Sequence, residues 1–213
     1  MTLLKQDLFG TVALLESAQG QKRVVRDTGA ARWWLAGLAR HLARRERRAL
    51  ETLAGLDGIP RLLGAAGGQI ERAWIEGQPM QLARPADPQY YREALHLLRR
   101  LHARRVAHND LAKEPNWLVT PEGLPALVDF QLALVAPRRG RLFRMLAHDD
   151  LRHLLKHKRT YLPHRLTARE KRILAQPSLL SRIWRSTGKR VYRFVTRRVL
   201  GWSDREGAGD RKL

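Results

Sequence analysis

One stretch constrains the chain more than any other. His108-Asn109-Asp110 ends a helical run, Asn116 follows six residues after the aspartate, and Asp129-Phe130 closes the second of two short apolar strands. The helix is read over residues 89–105, where Leu95, Leu98 and Leu101 share a stripe. The strands are read over residues 117–119 and 126–128, joined by the turn TPEGLP. A strand-turn-strand of this length brings the chain back on itself, so Asn116 and Asp129 are expected together at one end of a small hairpin.

Upstream, FGTVALLE and KRVVRD are rich in β-branched residues and flank the Gly-containing turn at residues 18–21, which predicts a β-hairpin over residues 8–27. Over residues 31–53, Trp34, Leu35, Leu38, Leu42, Ala49, Leu50 and Leu53 recur at helical spacing, with Arg on the other face and Gly55 and Gly58 as stops. This is one long amphipathic helix, or a short one running into a longer one. Strand-like pieces at 61–63 and 69–75, separated by AAGG, precede a Pro-punctuated stretch over 79–88. Three regions are expected: 1–77, carrying strands and the long helix; 78–136, carrying the polar constellation; and 137–213, basic and helical, with breaks at Pro163, Pro177 and Gly188.

The constellation suits phosphoryl transfer. One carboxylate accepts or steers the proton of an acceptor hydroxyl, while a second carboxylate and an amide oxygen hold Mg²⁺ on nucleotide phosphates. In this respect HNDLAKEPNWLV followed by LVDFQLA resembles the catalytic loop and metal-binding strand of the protein-kinase-like superfamily, in particular its small bacterial RIO-type and lipopolysaccharide-core kinases. The resemblance covers residues 5–135. It implies an α+β, two-lobed protein-kinase-like fold, with a small β-rich N-lobe and a mainly helical, truncated C-lobe. It implies Asp110 as base or orienter, Lys113 as a γ-phosphate contact, His108 as a brace of the loop, and Asn116 and Asp129 as Mg²⁺ ligands. Gly10 would lie in the turn over the nucleotide. Arg26 would stand where the third strand usually carries Lys, with Glu46 on the long helix as its partner. WIEG, from Trp74 through Glu76 to Gly77, would be the hinge that holds adenine. ATP and Mg²⁺ are the implied cofactors.

This sequence departs from the family pattern at four places: a single Gly in QDLFGTV, one extra residue between Asp110 and Asn116, Gln131 after Asp-Phe, and Arg26 in place of Lys. Arg keeps the charge but presents a planar fork instead of a point. Lys22 lies four strand residues from Arg26, about 13 Å, so Lys5 on the neighbouring strand is the expected substitute.

Charge narrows the acceptor. The 213 residues carry 41 Lys+Arg against 20 Asp+Glu, formally +21, and residues 137–213 hold 22 basic and 6 acidic residues. An anionic partner is therefore expected for the last third. The expected reaction is ATP-dependent transfer to a hydroxyl on an anionic, membrane-associated acceptor such as a lipopolysaccharide precursor. A RIO-type Ser/Thr protein kinase and a catalytically weak nucleotide-binding scaffold are the alternatives. Nucleic acid is not the expected partner, because only the charge supports it. Without Cys, disulfides, thiolate zinc sites and Cys nucleophiles are excluded. The start lacks the pattern of a secretory signal and no run of about 18 apolar residues occurs, so a cytoplasmic chain, peripheral on the inner membrane's cytoplasmic face, is expected.

Other features are read more plainly. His153 and His157, four apart on a basic helix, are expected to be solvated or phosphate-facing, since the pattern sets no third metal ligand. Asp149 and Asp150 read as helix caps, with a brace behind the catalytic loop as the alternative. One of Trp33 and Trp34 is expected in the core. Tyr192, Val195, Val199 and Trp202 among arginines suggest a basic amphipathic helix over residues 189–202, either a membrane-interface element or a helix packed on the lobe with a solvated basic rim.

Overall fold

The computed structural model describes residues 2–17 and 19–176. The expected helix at 189–202 lies outside them. Two compact units are present, Met1–Leu166 and Thr167–Leu213.

The first unit begins with three antiparallel strands, β1 (Thr2–Asp7), β2 (Gly10–Glu16) and β3 (Lys22–Asp27). A helical turn at Trp33–Leu35 leads into α1 (Ala36–Thr52), the second of the two forms the periodicity allowed. β4 (Leu62–Ala66) and β5 (Gln69–Ala73) complete a five-stranded sheet of order β1-β2-β3-β5-β4. Because strand side chains alternate, Val24 and Arg26 of β3 share the buried face with Ile70 and Arg72 of β5. Two apolar residues and two arginines thus occupy one side of the sheet.

The chain then crosses through β6 (Gln78–Pro79) and α2 (Met80–Ala83) to α3 (Pro88–Ala103). The Asp87 carboxylate accepts from the Gln89 N–H at 2.8 Å and Pro88 fills the first turn, so α3 starts where its cap dictates. A Cβ on Gly77 would lie 2.9 Å from the Val119 carbonyl, which makes glycine necessary where this crossing meets the next sheet. β7 (Val106–Ala107), β8 (Trp117–Val119), β9 (Pro125–Leu127) and β10 (Leu134–Val135) follow; β6, β8 and β9 form one small sheet, β7 and β10 another.

The unit's longest helix is α4 (Arg141–Tyr161). Leu50 of α1 and Leu53 just after it, Leu98 and Leu101 of α3, Trp117, Leu127, Phe130 and Leu154 share one buried cluster. Each such side chain contributes about 1.5–3 kcal/mol by leaving water. This cluster carries the polar turn at 108–110 on a rigid base. In the second unit α5 (Ala168–Ala175) opens with a reciprocal capping box between Thr167 and Glu170. No helix among the described residues is long and apolar enough to cross a membrane.

The structure corrects one expectation about the surface. Trp33 is 88 % and Trp34 45 % exposed, so neither belongs to the core. The helical turn that carries them precedes α1 and is tied to the β1–β2 turn by the Arg32 N–H, which donates to the Leu8 carbonyl.

Candidate functional site

β7 delivers the chain into His108, whose side chain is fully buried. Its Nε2 lies 3.0 Å from the Val128 carbonyl and therefore carries a proton there; the ring rests on Phe130 with centroids 4.5 Å apart. Asp150, on the buried stripe of α4, accepts from the backbone N–H of His108 at 2.8 Å and of Asn109 at 2.9 Å, and meets His102 Nε2 at 3.1 Å. One buried carboxylate thereby fixes two successive peptide planes directly before Asp110. Asn109 sits at φ 64°, a left-handed conformation that short polar residues tolerate best.

The capping reading of Asp149 and Asp150 is thus corrected in favour of the brace. α4 begins nine residues before Asp150, because Phe143, Leu146, Asp150, Leu154 and His157 continue one helical stripe and all are buried. His157, expected to be solvated or phosphate-facing, is corrected likewise: it is buried and its Nε2 donates to the Leu111 carbonyl at 2.8 Å.

Asp110 and Asn116 meet through two bonds. Asn116 Nδ2 donates to the Asp110 carbonyl at 2.9 Å and to its carboxylate Oδ2 at 3.0 Å. Lys113 Nζ lies 3.1 Å from the same oxygen. The Val128 N–H donates to the Asn116 carbonyl at 3.1 Å, which places Asn116 beside the strand end that carries Asp129. With Nδ2 committed to Asp110, the amide oxygen of Asn116 is its remaining acceptor.

Asp129 is also left-handed, φ 64°, and Gln131 Nε2 donates to its Oδ1 at 2.6 Å. Burial alone would raise its pKa and is the largest single influence. The charge of Arg26, the Gln131 amide, Arg72 and His108 together outweigh it and hold the carboxyl below its ordinary value. Asp129 is therefore an ionised, half-buried carboxylate.

Across from it, Glu46 of α1 has no exposed surface and lies between two guanidinium groups. Arg26 Nε is 3.4 Å from Glu46 Oε2, and Arg72 Nη1 contacts Glu46 Oε1. Burial lowers the pKa of both arginines, and that of Arg72 falls to about 10 with repulsion from Arg26 as the second cause. Arg45, next to Glu46, donates to the Leu132 and Ala133 carbonyls at 2.9 and 3.2 Å, so α1 is fastened to the segment just beyond Asp129.

Gly10 has φ 127°, and a Cβ there would run into the Asp27 carbonyl, so only glycine lets the β1–β2 turn approach β3 this closely. Trp74 and Glu76 lie on the crossing between the sheets: the Trp74 N–H donates to the Lys22 carbonyl at 3.2 Å, and its indole donates to Glu76 at 2.7 Å. Lys5, the expected substitute for a β3 lysine, lies on β1, with β2 between it and β3. It faces Val12, one strand beyond Arg26, and pairs with Asp7 at 3.1 Å.

Sequence reasoning missed Arg72 and Arg45. For Arg72 a signal existed: it stands two residues from Ile70 on a strand and so shares its apolar face. Among the described residues no three His, Cys, Asp or Glu side chains converge as metal ligands. A cation at this site would therefore draw on Asp129, Asn116 and oxygens of its nucleotide.

The architecture is the protein-kinase-like fold. The chain is similar to the crystal structure of the Rio2 kinase from Chaetomium thermophilum, with a TM-score of 0.60 and 16% identity over 79% of this chain. It spans 59% of that kinase's length. No family model and no curated protein matches the chain.

Proposed function

We propose that the chain is an ATP-dependent phosphotransferase acting on a hydroxyl acceptor. The observation that carries this reading is the pair of hydrogen bonds joining Asn116 to Asp110 and the bond from the Val128 N–H to the Asn116 carbonyl, which sets Asn116 beside Asp129, within a kinase-like fold. Asp129 and Asn116 supply the hard oxygen donors that suit Mg²⁺, and they are the residues that would hold it. Bound there, Mg²⁺ would neutralise charge on the transferring phosphate.

In this reading Asp110 accepts the proton of the acceptor hydroxyl as its oxygen bonds to the γ-phosphorus and the bond to the ADP oxygen breaks. Lys113, paired to Asp110, stays beside the transferred group. Gly10 and its turn cover the nucleotide, Trp74 to Gly77 present backbone to adenine, and Arg26 stands beside Asp129. The lobe division falls near Gly77, with a third, basic region from residue 137. The excess of basic residues there favours an anionic acceptor at the cytoplasmic face of the inner membrane, such as a lipopolysaccharide core sugar. The fold likeness to a Rio2 kinase favours a second reading, a RIO-type Ser/Thr protein kinase.

Incubation with labelled ATP, Mg²⁺ and fractionated cell envelope separates them. Label in a glycolipid fraction supports the first reading and label in protein the second. Absence of transfer to any fraction, with no ATP hydrolysis, would sink both.

A further inference from the structure

The two cations beside Glu46 are not equivalent. Arg72 stands opposite Val24 in the β3–β5 ladder and Arg26 opposite Ile70, so they are diagonal neighbours on one face of the sheet. At that spacing long side chains reach a common point. Arg72 Nη1 contacts Glu46 Oε1, whereas Arg26 Nε comes no nearer to Oε2 than 3.4 Å. We propose that Arg72 is the standing partner of Glu46, and that this leaves Arg26 free to turn its guanidinium to the phosphates of the nucleotide beside Asp129. The proposal rests on the phosphotransfer reading above.

Charge and shape give the reason. A lysine ammonium is a point with three donors and can touch a carboxylate and a phosphate in different directions at once. A guanidinium is a flat fork whose donors lie in one plane, so an arginine committed to Glu46 points its best face away from a phosphate. A second arginine on the next strand removes that conflict. Two buried guanidinium groups against Glu46 alone would leave an unbalanced charge, and the carboxylates of Asp129 and Asp7 beside Arg26 offset it. The substitution of Arg for Lys on β3 and the arginine on β5 are thus two halves of one arrangement.

Double-variant cycles test this, with urea denaturation and calorimetric titration of MgATP on each protein. Arg72→Met should destabilise the fold strongly, because it strands a buried carboxylate, and adding Glu46→Gln should restore most of the loss. Should Arg72→Met alone not fold, its recovery on adding Glu46→Gln is the same coupling. Arg72→Lys should keep both stability and nucleotide affinity close to those of the parent. Arg26→Met should weaken MgATP binding ~10–100-fold, the loss of one charge-assisted contact, and by a similar factor in the Glu46→Gln background. Strong coupling of Arg26 to Glu46, with Arg72 and Glu46 additive, would overturn the proposal. If the parent protein bound no MgATP at all, the phosphotransfer reading would fail and take the role of Arg26 with it. The pairing of Arg72 with Glu46 would still be decided by denaturation alone.

Discussion

At the scale of single residues, the two aspartates of the site differ in what surrounds them, and their variants should differ in kind. Asp129 is half-buried and held ionised by neighbouring positive charge, so its Asn variant removes a metal-binding charge; MgATP affinity should fall about tenfold or more. Asp110 touches Asn116 and Lys113 on the open side of the turn; Asp110→Asn should leave affinity nearly intact and reduce turnover ~10²–10⁴-fold. Titration calorimetry beside single-turnover rates measures both, and normal turnover in both variants would refute the assignment. These residues were legible because their spacing along the chain is short and the turn between them is local. Arg72 was legible only as a residue on the face of Ile70: its partner depends on a strand pairing with β3 far back in the chain, and a single charged residue in ERA carries no sign of what lies opposite.

At the scale of elements, the hairpin at 8–27, the helix before the polar turn and the two short strands after it were readable from periodicity, whereas the start of α4 was not. Basic residues at Arg138, Arg139, Arg141 and Arg144 hide the stripe begun by Phe143 and Leu146, so the two aspartates looked like a beginning. Their true position makes α4 a structural support with two measurable consequences. Asp150→Ala would leave the N–H groups of His108 and Asn109 without their acceptor, at a cost on the order of 3–5 kcal/mol in urea denaturation; Asp150→Asn, which keeps one acceptor, should cost less. The second concerns pH. Burial is the main cause that lowers His153 to about 4 and pushes His157 down from its usual value. The unfolded chain therefore takes up protons on these residues before the folded one does. Stability should be full above about pH 6.5 and decline as pH falls from there towards 4. Denaturation midpoints at pH 7, 5.5 and 4.5 would show it, and His153→Gln should flatten the slope; an unchanged slope would place the proton uptake elsewhere.

At the scale of the whole molecule, the kinase-like fold brings together residues as distant as Arg26 and Asp129, and no local pattern in the sequence states that they meet. The net charge of +21 is legible without any structure, and it makes a prediction that geometry does not. A basic residue near an anionic bilayer contributes on the order of 1 kcal/mol, and salt weakens the attraction as the screening length shortens. The full chain should therefore sediment with anionic vesicles at low ionic strength, release as salt is raised, and ignore neutral vesicles. Residues 189–213 hold eight Lys and Arg against three Asp and Glu, so a chain ending at Gly188 should bind more weakly and show a shallower dependence on salt. Equal binding by both chains would assign the attraction to basic residues before Gly188, among them the arginines exposed on α1. Binding indifferent to lipid charge would remove the membrane from the account, and the acceptor would then have to be sought among soluble anionic hydroxyl compounds able to reach Asp110.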